Sequence, residues 1–113
     1  MFGRKPVPRI TVTDAAEQAR AGRLVLVDVR EPAEIAQAAV PGVRHIPLGS
    51  LTARFGELPA DHTIGFICRS GNRSGTATRA ALRAGLDAVN VDGGVLAWGR
   101  AGLPLSRNGK DAT

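Results

Sequence analysis

Cysteine is almost missing from this chain: Cys68 is the only one, which excludes an internal disulfide framework and suits a reducing compartment. The two histidines, His45 and His62, stand far apart. With one cysteine they offer no zinc-ligand spacing, so no metal site is expected. Aromatic residues make up 4% of the sequence, too few for a base-stacking platform. No apolar stretch is long enough to span a bilayer, and Met1-Phe2-Gly3-Arg4-Lys5-Pro6 lacks the apolar centre of a signal peptide. No membrane span and a cytoplasmic location are therefore expected.

What is present fits one domain. The 113 residues, 43% hydrophobic, can build a single core but not two, so residues 1–113 are read as one domain with its core at about 9–105. The net charge of +5 could suggest nucleic acid, but the basic residues are scattered from Arg4 to Lys110. A nucleic-acid partner is not expected. A mildly basic surface favours small anions or acidic protein partners.

Strand and helix patterns alternate along the chain. Arg9-Ile10-Thr11 reads as a short edge strand, and Thr13 as the N-cap of a helix through Ala21 that Gly22 terminates. The continuous apolar run Leu24-Val25-Leu26-Val27 predicts a strand covered on both faces. Glu31 to Ala38 reads as a short helix with Pro32 in its first turn, followed by a Pro41-Gly42 turn and a strand at Arg44-His45-Ile46. Leu51 to Phe55 fits one or two helical turns. Ile64 to Ile67 predicts a strand, Ser74 to Ala84 a helix, Ala88 to Val91 the last strand and Val95 to Arg100 the last helix. Alternation of this kind implies an α/β domain with a mainly parallel sheet. The polar termini, Phe2 to Pro8 and Ser106 to Thr113, are expected to be poorly ordered.

Cys68 stands where the strand run meets the polar loop Arg69-Ser70-Gly71-Asn72-Arg73-Ser74. Such a turn can aim successive backbone N–H groups at one point, and a helix start adds partial positive charge. Two arginines lie in the same loop. A lone cysteine is commonly a small buried hydrophobe. The charged, glycine-containing loop beside this one points instead to a thiolate. Asp28 and Arg30 follow the second strand at the same sheet end. They could orient the loop arginines or a substrate, but a pair tying loops together is the reading favoured for charges near a desolvated loop. His45 is read as a core or surface histidine rather than a base, His62 as a solvated loop residue, Trp98 as a core filler and Gly93-Gly94 as a tight turn rather than a phosphate site.

The loop Cys68-Arg69-Ser70-Gly71-Asn72-Arg73-Ser74 resembles the C-R-x-G-x-R-[ST] active-site loop of rhodanese-domain sulfurtransferases. Leu26-Val27-Asp28-Val29-Arg30-Glu31 is similar to the family's D-[VI]-R-E segment, and Val40 to Leu48 to its I-P-G-A-x-x-I-P-L turn and strand. Asp92-Gly93-Gly94-Val95-Leu96-Ala97-Trp98 and Ala101-Gly102-Leu103-Pro104 are similar to its G-G-x-x-x-W and A-G-[LY]-P pair. Many members carry Gly-His before I-P-G, where this chain has Ala38-Ala39. That departure bears on the local turn and removes no sulfur-transfer group.

The resemblance implies a rhodanese-like fold, a mainly parallel five-stranded sheet with helices on both faces. It also implies a thiosulfate sulfurtransferase. Cys68 would take the outer sulfur of a donor such as thiosulfate, carry it as a persulfide, and pass it to cyanide in the assay or a thiol in the cell. Arg69, Ser70, Gly71, Asn72, Arg73 and Ser74 would bind substrate, with Asp28 and Arg30 in support. The implied partners are a small anionic sulfur donor and a thiol or cyanide acceptor, with a protein acceptor a further candidate. No cofactor is expected. Two other readings stay open. A non-catalytic rhodanese-like module would bind a partner through this site. Cysteine-dependent phosphatases and arsenate reductases use similar cradles, but with five residues between cysteine and arginine, whereas four separate Cys68 from Arg73.

Overall fold

The computed structural model describes residues 6–107. Its elements run β1 (Arg9–Ile10), α1 (Val12–Arg20), β2 (Leu24–Asp28), α2 (Pro32–Gln37), β3 (Arg44–His45), β4 (Thr63–Ile67), α3 (Asn72–Arg83), β5 (Ala88–Val91) and α4 (Gly94–Arg100). Two 3₁₀ segments, Leu48–Ser50 and Thr52–Glu57, lie between β3 and β4 where one or two helical turns are predicted. The five strands form one sheet in the order β1-β5-β4-β2-β3, and every pairing is parallel. Spatial order is not readable from the sequence; the observed order places β4 at the centre.

Side-chain alternation sorts the central strands between two cores. Ile64, Phe66 and Cys68 of β4 and its extension join Val27, Val29, Ala77 and Ala81 in the core beneath α3. Ile67 joins Leu24, Leu26, Val91 and Trp98 on the opposite face, with Val12 and Ala15 of α1 and Val95 of α4. Helices therefore cover both faces, and the alternation itself turns the Cys68 side chain toward α3.

Several predicted boundaries shift, three of them with consequences for packing. Thr11, not Thr13, caps α1: its Oγ1 accepts from Asp14 N–H at 3.1 Å, which leaves Val12 inside the helix and buried. The helix expected from Ser74 starts at Asn72, two residues earlier, because Gly71 takes the cap position at φ 118°. Ser106, expected in a loose tail, is buried and pairs with Ala39: Ala39 N–H donates to Ser106 O at 2.9 Å and Ser106 N–H to Ala39 O at 2.7 Å. These are backbone bonds, so the Ala38-Ala39 departure needs no histidine side chain there. The tail beyond Arg107 and the segment before Pro6 lie outside the described residues; Pro8 O accepts from Asn90 N–H at 2.8 Å.

Trp98 is 3% exposed and fills the α1/α4 core as predicted, while its Nε1–H donates to Pro104 O at 2.9 Å. One side chain thus supplies apolar bulk and anchors the Gly102-Leu103-Pro104 turn. Trp98→Ala is expected to cost about 3–5 kcal/mol in urea unfolding. Trp98→Phe, which keeps most of the bulk and loses the hydrogen bond, is expected to cost less than half of that.

Candidate active site

Cys68 follows the carboxyl end of the central strand, between β2 and β5, where ligands bind in parallel α/β sheets. The chain then curls through Arg69, Ser70 and Gly71 into the first turn of α3, made of Asn72, Arg73 and Ser74. First-turn N–H groups of a helix have no intrahelical partner. Here one of them, the Ser74 N–H, favours the thiolate, together with the N–H groups of the turn that leads into the helix. Gly71 N–H donates to Sγ at 3.1 Å, and Ser74 Oγ lies 3.2 Å from it. Cys68 is 1% exposed, and that burial is the largest influence on its ionisation, pushing the thiol pKa up. Hydrogen bonds from the Ser74 hydroxyl and from the N–H groups of Ser74, Gly71 and Ser70 outweigh it and bring the pKa below the ordinary thiol value.

The loop is held from below by α4. Val95 N–H donates to Cys68 O at 2.8 Å and Leu96 N–H to Arg69 O at 3.1 Å. Gly93 and Gly94 have φ of 75° and 60°, and a Cβ on Gly94 would collide with the carbonyl oxygens of Cys68 and Arg69. The predicted tight turn is thus also the seat of the cysteine loop.

The loop residues part company in their side chains. Those of Arg69, Ser70 and Asn72 are exposed. Arg73 is turned to Glu34 of α2, with Nη1 2.7 Å from Oε1 and Nη2 2.8 Å from Oε2. Glu34 Oε1 also accepts from Glu31 N–H at 3.0 Å. The Arg73 hydrogen bonds are the largest influence on Glu34; with the Glu31 N–H and the charges of Arg73 and Arg30 they overcome burial and lower its pKa to about 2, while Arg73 is raised in return. Arg73, expected to meet a donor's anionic end, faces Glu34 and joins α3 to α2. Among the described residues no ion pair holds Arg69, which leaves its guanidinium available.

Asp28 and Arg30 form a buried pair. Arg30 Nε lies 3.0 Å from both Asp28 oxygens and Nη2 2.9 Å from Oδ2, and Nη2 also donates to Ala38 O at 2.7 Å. The pair ties β2 to the end of α2, the tying role favoured from sequence, and neither residue bonds to Arg69 or Arg73. His45 Nε2–H donates to Arg30 O at 2.7 Å, in keeping with a structural histidine. His62, read as merely solvated, pairs with Asp61 at 2.9 Å.

Two neighbours escape the sequence reading. Glu34 belongs to a Glu31-x-x-Glu34 capping pattern that could have drawn notice. Asn90, in the apolar run Ala88-Val89-Asn90-Val91, is 8% exposed and lies beneath the loop, its Nδ2 donating to Gly71 O at 3.0 Å and its Oδ1 2.6 Å from Ser74 Oγ. A polar side chain within a buried strand needs partners, and that was the signal.

The Glu34–Arg73 pair contributes stability above the unfolded glutamate pKa, near 4.5, and loses it as pH falls toward about 2. Being part-exposed, it is worth about 1 kcal/mol or less. Thermal melts of wild type and Glu34→Gln should differ by a few degrees from pH 7 down to about 5 and converge below that. Gly94→Ala is expected to cost at least about 1–2 kcal/mol from its positive φ alone, and to slow Cys68 alkylation at pH 7 by displacing the loop.

Comparison with known proteins agrees with this fold. The rhodanese-like domain family model matches residues 11–101. A sulfurtransferase of Allochromatium vinosum is 41% identical over 83 residues, 73% of this chain and 78% of that protein. The putative sulfurtransferase YtwF of Bacillus subtilis is 40% identical over 75 residues, 66% of this chain and 73% of that protein. A rhodanese-related protein from Thermoplasma volcanium superposes with a TM-score of 0.82 at 30% identity, covering 88% of this chain and 97% of that one. Relatives at this identity, together with the shared fold, support a sulfurtransferase role. With residues 11–101 matched and the parallel sheet and cysteine loop in place, the chain belongs to the rhodanese-like domain family.

Proposed function

We propose that this chain is a sulfurtransferase that carries sulfane sulfur as a persulfide on Cys68. The observation that carries the reading is the convergence of Gly71 N–H and the Ser74 hydroxyl on one buried sulfur. With thiosulfate, the Cys68 thiolate attacks the outer sulfur and a new S–S bond forms. The bond from that sulfur to the sulfonate sulfur breaks with its electron pair, and sulfite leaves. The charge now sits on the terminal sulfur of the persulfide, where loop N–H groups stabilise it as they would an oxyanion. An acceptor thiolate, or cyanide, then attacks the terminal sulfur and releases the Cys68 thiolate. Splitting the transfer into two displacements needs one nucleophile and no base once the thiol is ionised.

The donor's sulfonate is met by Arg69, because Arg73 is spent on Glu34. A small thiol or a protein thiol as acceptor suits the same exposed loop face. The relatives include a putative sulfur carrier protein, YrkF of Bacillus subtilis, in keeping with sulfur passed between proteins. Among the described residues no helix is long and apolar enough to cross a membrane. The reading places the chain in the cytoplasm, where thiols stay reduced. The four-residue spacing from Cys68 to Arg73 favours a single sulfur over a tetrahedral phosphate.

Incubation with thiosulfate should add the mass of one sulfur atom to the intact protein, and cyanide should remove it. Cys68→Ala should take up none. Arg69→Ala should raise the KM for thiosulfate roughly tenfold, the loss of one charge-assisted contact, and change kcat much less. An adduct that survives cyanide, or aryl phosphate turnover without sulfur uptake, would reject the reading.

A further inference from the structure

Ser74 Oγ stands between two acceptors, 3.2 Å from Cys68 Sγ and 2.6 Å from Asn90 Oδ1. A serine hydroxyl has one proton and can donate to only one of them at a time. The orientation of the Asn90 amide is fixed, because its Nδ2 donates to Gly71 O at 3.0 Å and the reverse orientation would set two oxygens face to face. Oδ1 therefore points at Ser74. All three side chains are buried, Ser74 fully, Cys68 at 1% and Asn90 at 8% exposure, so water does not readily replace a missing bond.

We propose that Asn90 is a positioning residue that competes with Cys68 for the single hydroxyl proton of Ser74, so that the Ser74 hydroxyl turns between them as the sulfur gains and loses charge. With Cys68 as a thiol, S–H donates to Ser74 Oγ and Ser74 O–H donates to Asn90 Oδ1, and every group is satisfied. When Cys68 ionises, its proton passes to solvent, the hydroxyl turns to the thiolate and Asn90 Oδ1 loses its donor. In the sulfurtransferase reading, on which this cycle rests, persulfide formation moves the negative charge to the outer sulfur and the hydroxyl returns to Asn90. Asn90 thus restrains the resting thiol and recovers its bond when the sulfur is loaded.

Besides Arg69, next to it in the chain with an exposed side chain, the charged groups near Cys68 are the Arg73–Glu34 pair, from α3 and α2, and the Asp28–Arg30 pair at the end of β2. Both are ion-paired, and Glu34, with its pKa lowered to about 2, stays ionised throughout the thiol's range. Among the buried groups at the sulfur, the Ser74 hydroxyl is the one free to rearrange.

The test is the pH dependence of Cys68 alkylation by iodoacetamide in four proteins: wild type, Asn90→Ala, Ser74→Ala and the double variant. Removing the competitor should lower the apparent thiol pKa of Asn90→Ala by about half a unit to one unit. Ser74→Ala should raise it, and adding Asn90→Ala to Ser74→Ala should lower it no further. A pKa that rises in Asn90→Ala, or falls equally with and without Ser74, overturns the proposal; the first would mean that Asn90 acts only by holding Gly71. If Asn90→Ala does not fold, the Asn90 side-chain amide resonance of isotope-labelled wild type decides. It should move with the Cys68 titration and lose most of that movement in Ser74→Ala; a resonance indifferent to the titration rejects the proposal. Alkylation needs no sulfur donor. Failure of sulfur uptake by wild type would therefore reject the sulfurtransferase reading and leave this result standing.

Discussion

The structure turns on one opposition at one atom: burial of the Cys68 sulfur against the hydrogen-bond donors gathered on it. Burial alone would make Cys68 an inert core residue, and alternation along β4 does place it among the apolar residues beneath α3. What reverses the outcome is that the strand ends there and a helix begins four residues later with its first-turn N–H groups unspent. The donors are mostly backbone, so they depend on the path of the chain. That path is set by Gly71 at its positive φ, by the N-terminus of α4 holding the Cys68 and Arg69 carbonyls, and by Asn90 holding the Gly71 carbonyl.

Charge has a different part here from the one its position suggests. Arg73 sits in the loop, yet its guanidinium faces Glu34 and joins α3 to α2; Arg30, with Asp28 and the Ala38 carbonyl, joins β2 to the end of α2. Two ion pairs thus brace the walls around the sulfur. Among the described residues Arg69 takes part in no ion pair. This division lets the cradle keep its shape without placing two free cations beside a thiolate, where desolvation would be costly.

Much of this was legible in the sequence because the signals were local. The strand at Ile64 to Ile67, the cysteine loop, the glycine pair at Gly93-Gly94 and the core role of Trp98 each follow from a few adjacent residues. Helix starts were less legible. The alanine-rich stretch from Ser74 reads as the helix, but Gly71 adopts the left-handed cap conformation, which places Asn72 to Ser74 inside α3 and so puts the serine hydroxyl on the sulfur. Strand order was hidden, since parallel connections carry no register in their sequence. The order β1-β5-β4-β2-β3 is what brings Asn90 of β5 and Asp28 of β2 to either side of Cys68. Glu34 and Asn90 were missed for the same reason: their partners lie 39 and 16 to 19 residues away in the chain. The Ala39–Ser106 pairing, 67 residues apart, was equally invisible.

The measurement that bears most directly on the central claim is titration of thiolate ultraviolet absorbance, in the folded protein and in the chain unfolded by urea. With one cysteine and no tyrosine, the thiolate signal belongs to Cys68 and carries no tyrosinate contribution. If loop donors outweigh burial, the folded midpoint lies clearly below the unfolded one, which should sit near the ordinary thiol value of about 8.5. A folded midpoint at or above the unfolded value would mean that burial wins, and that the loop does not activate its cysteine.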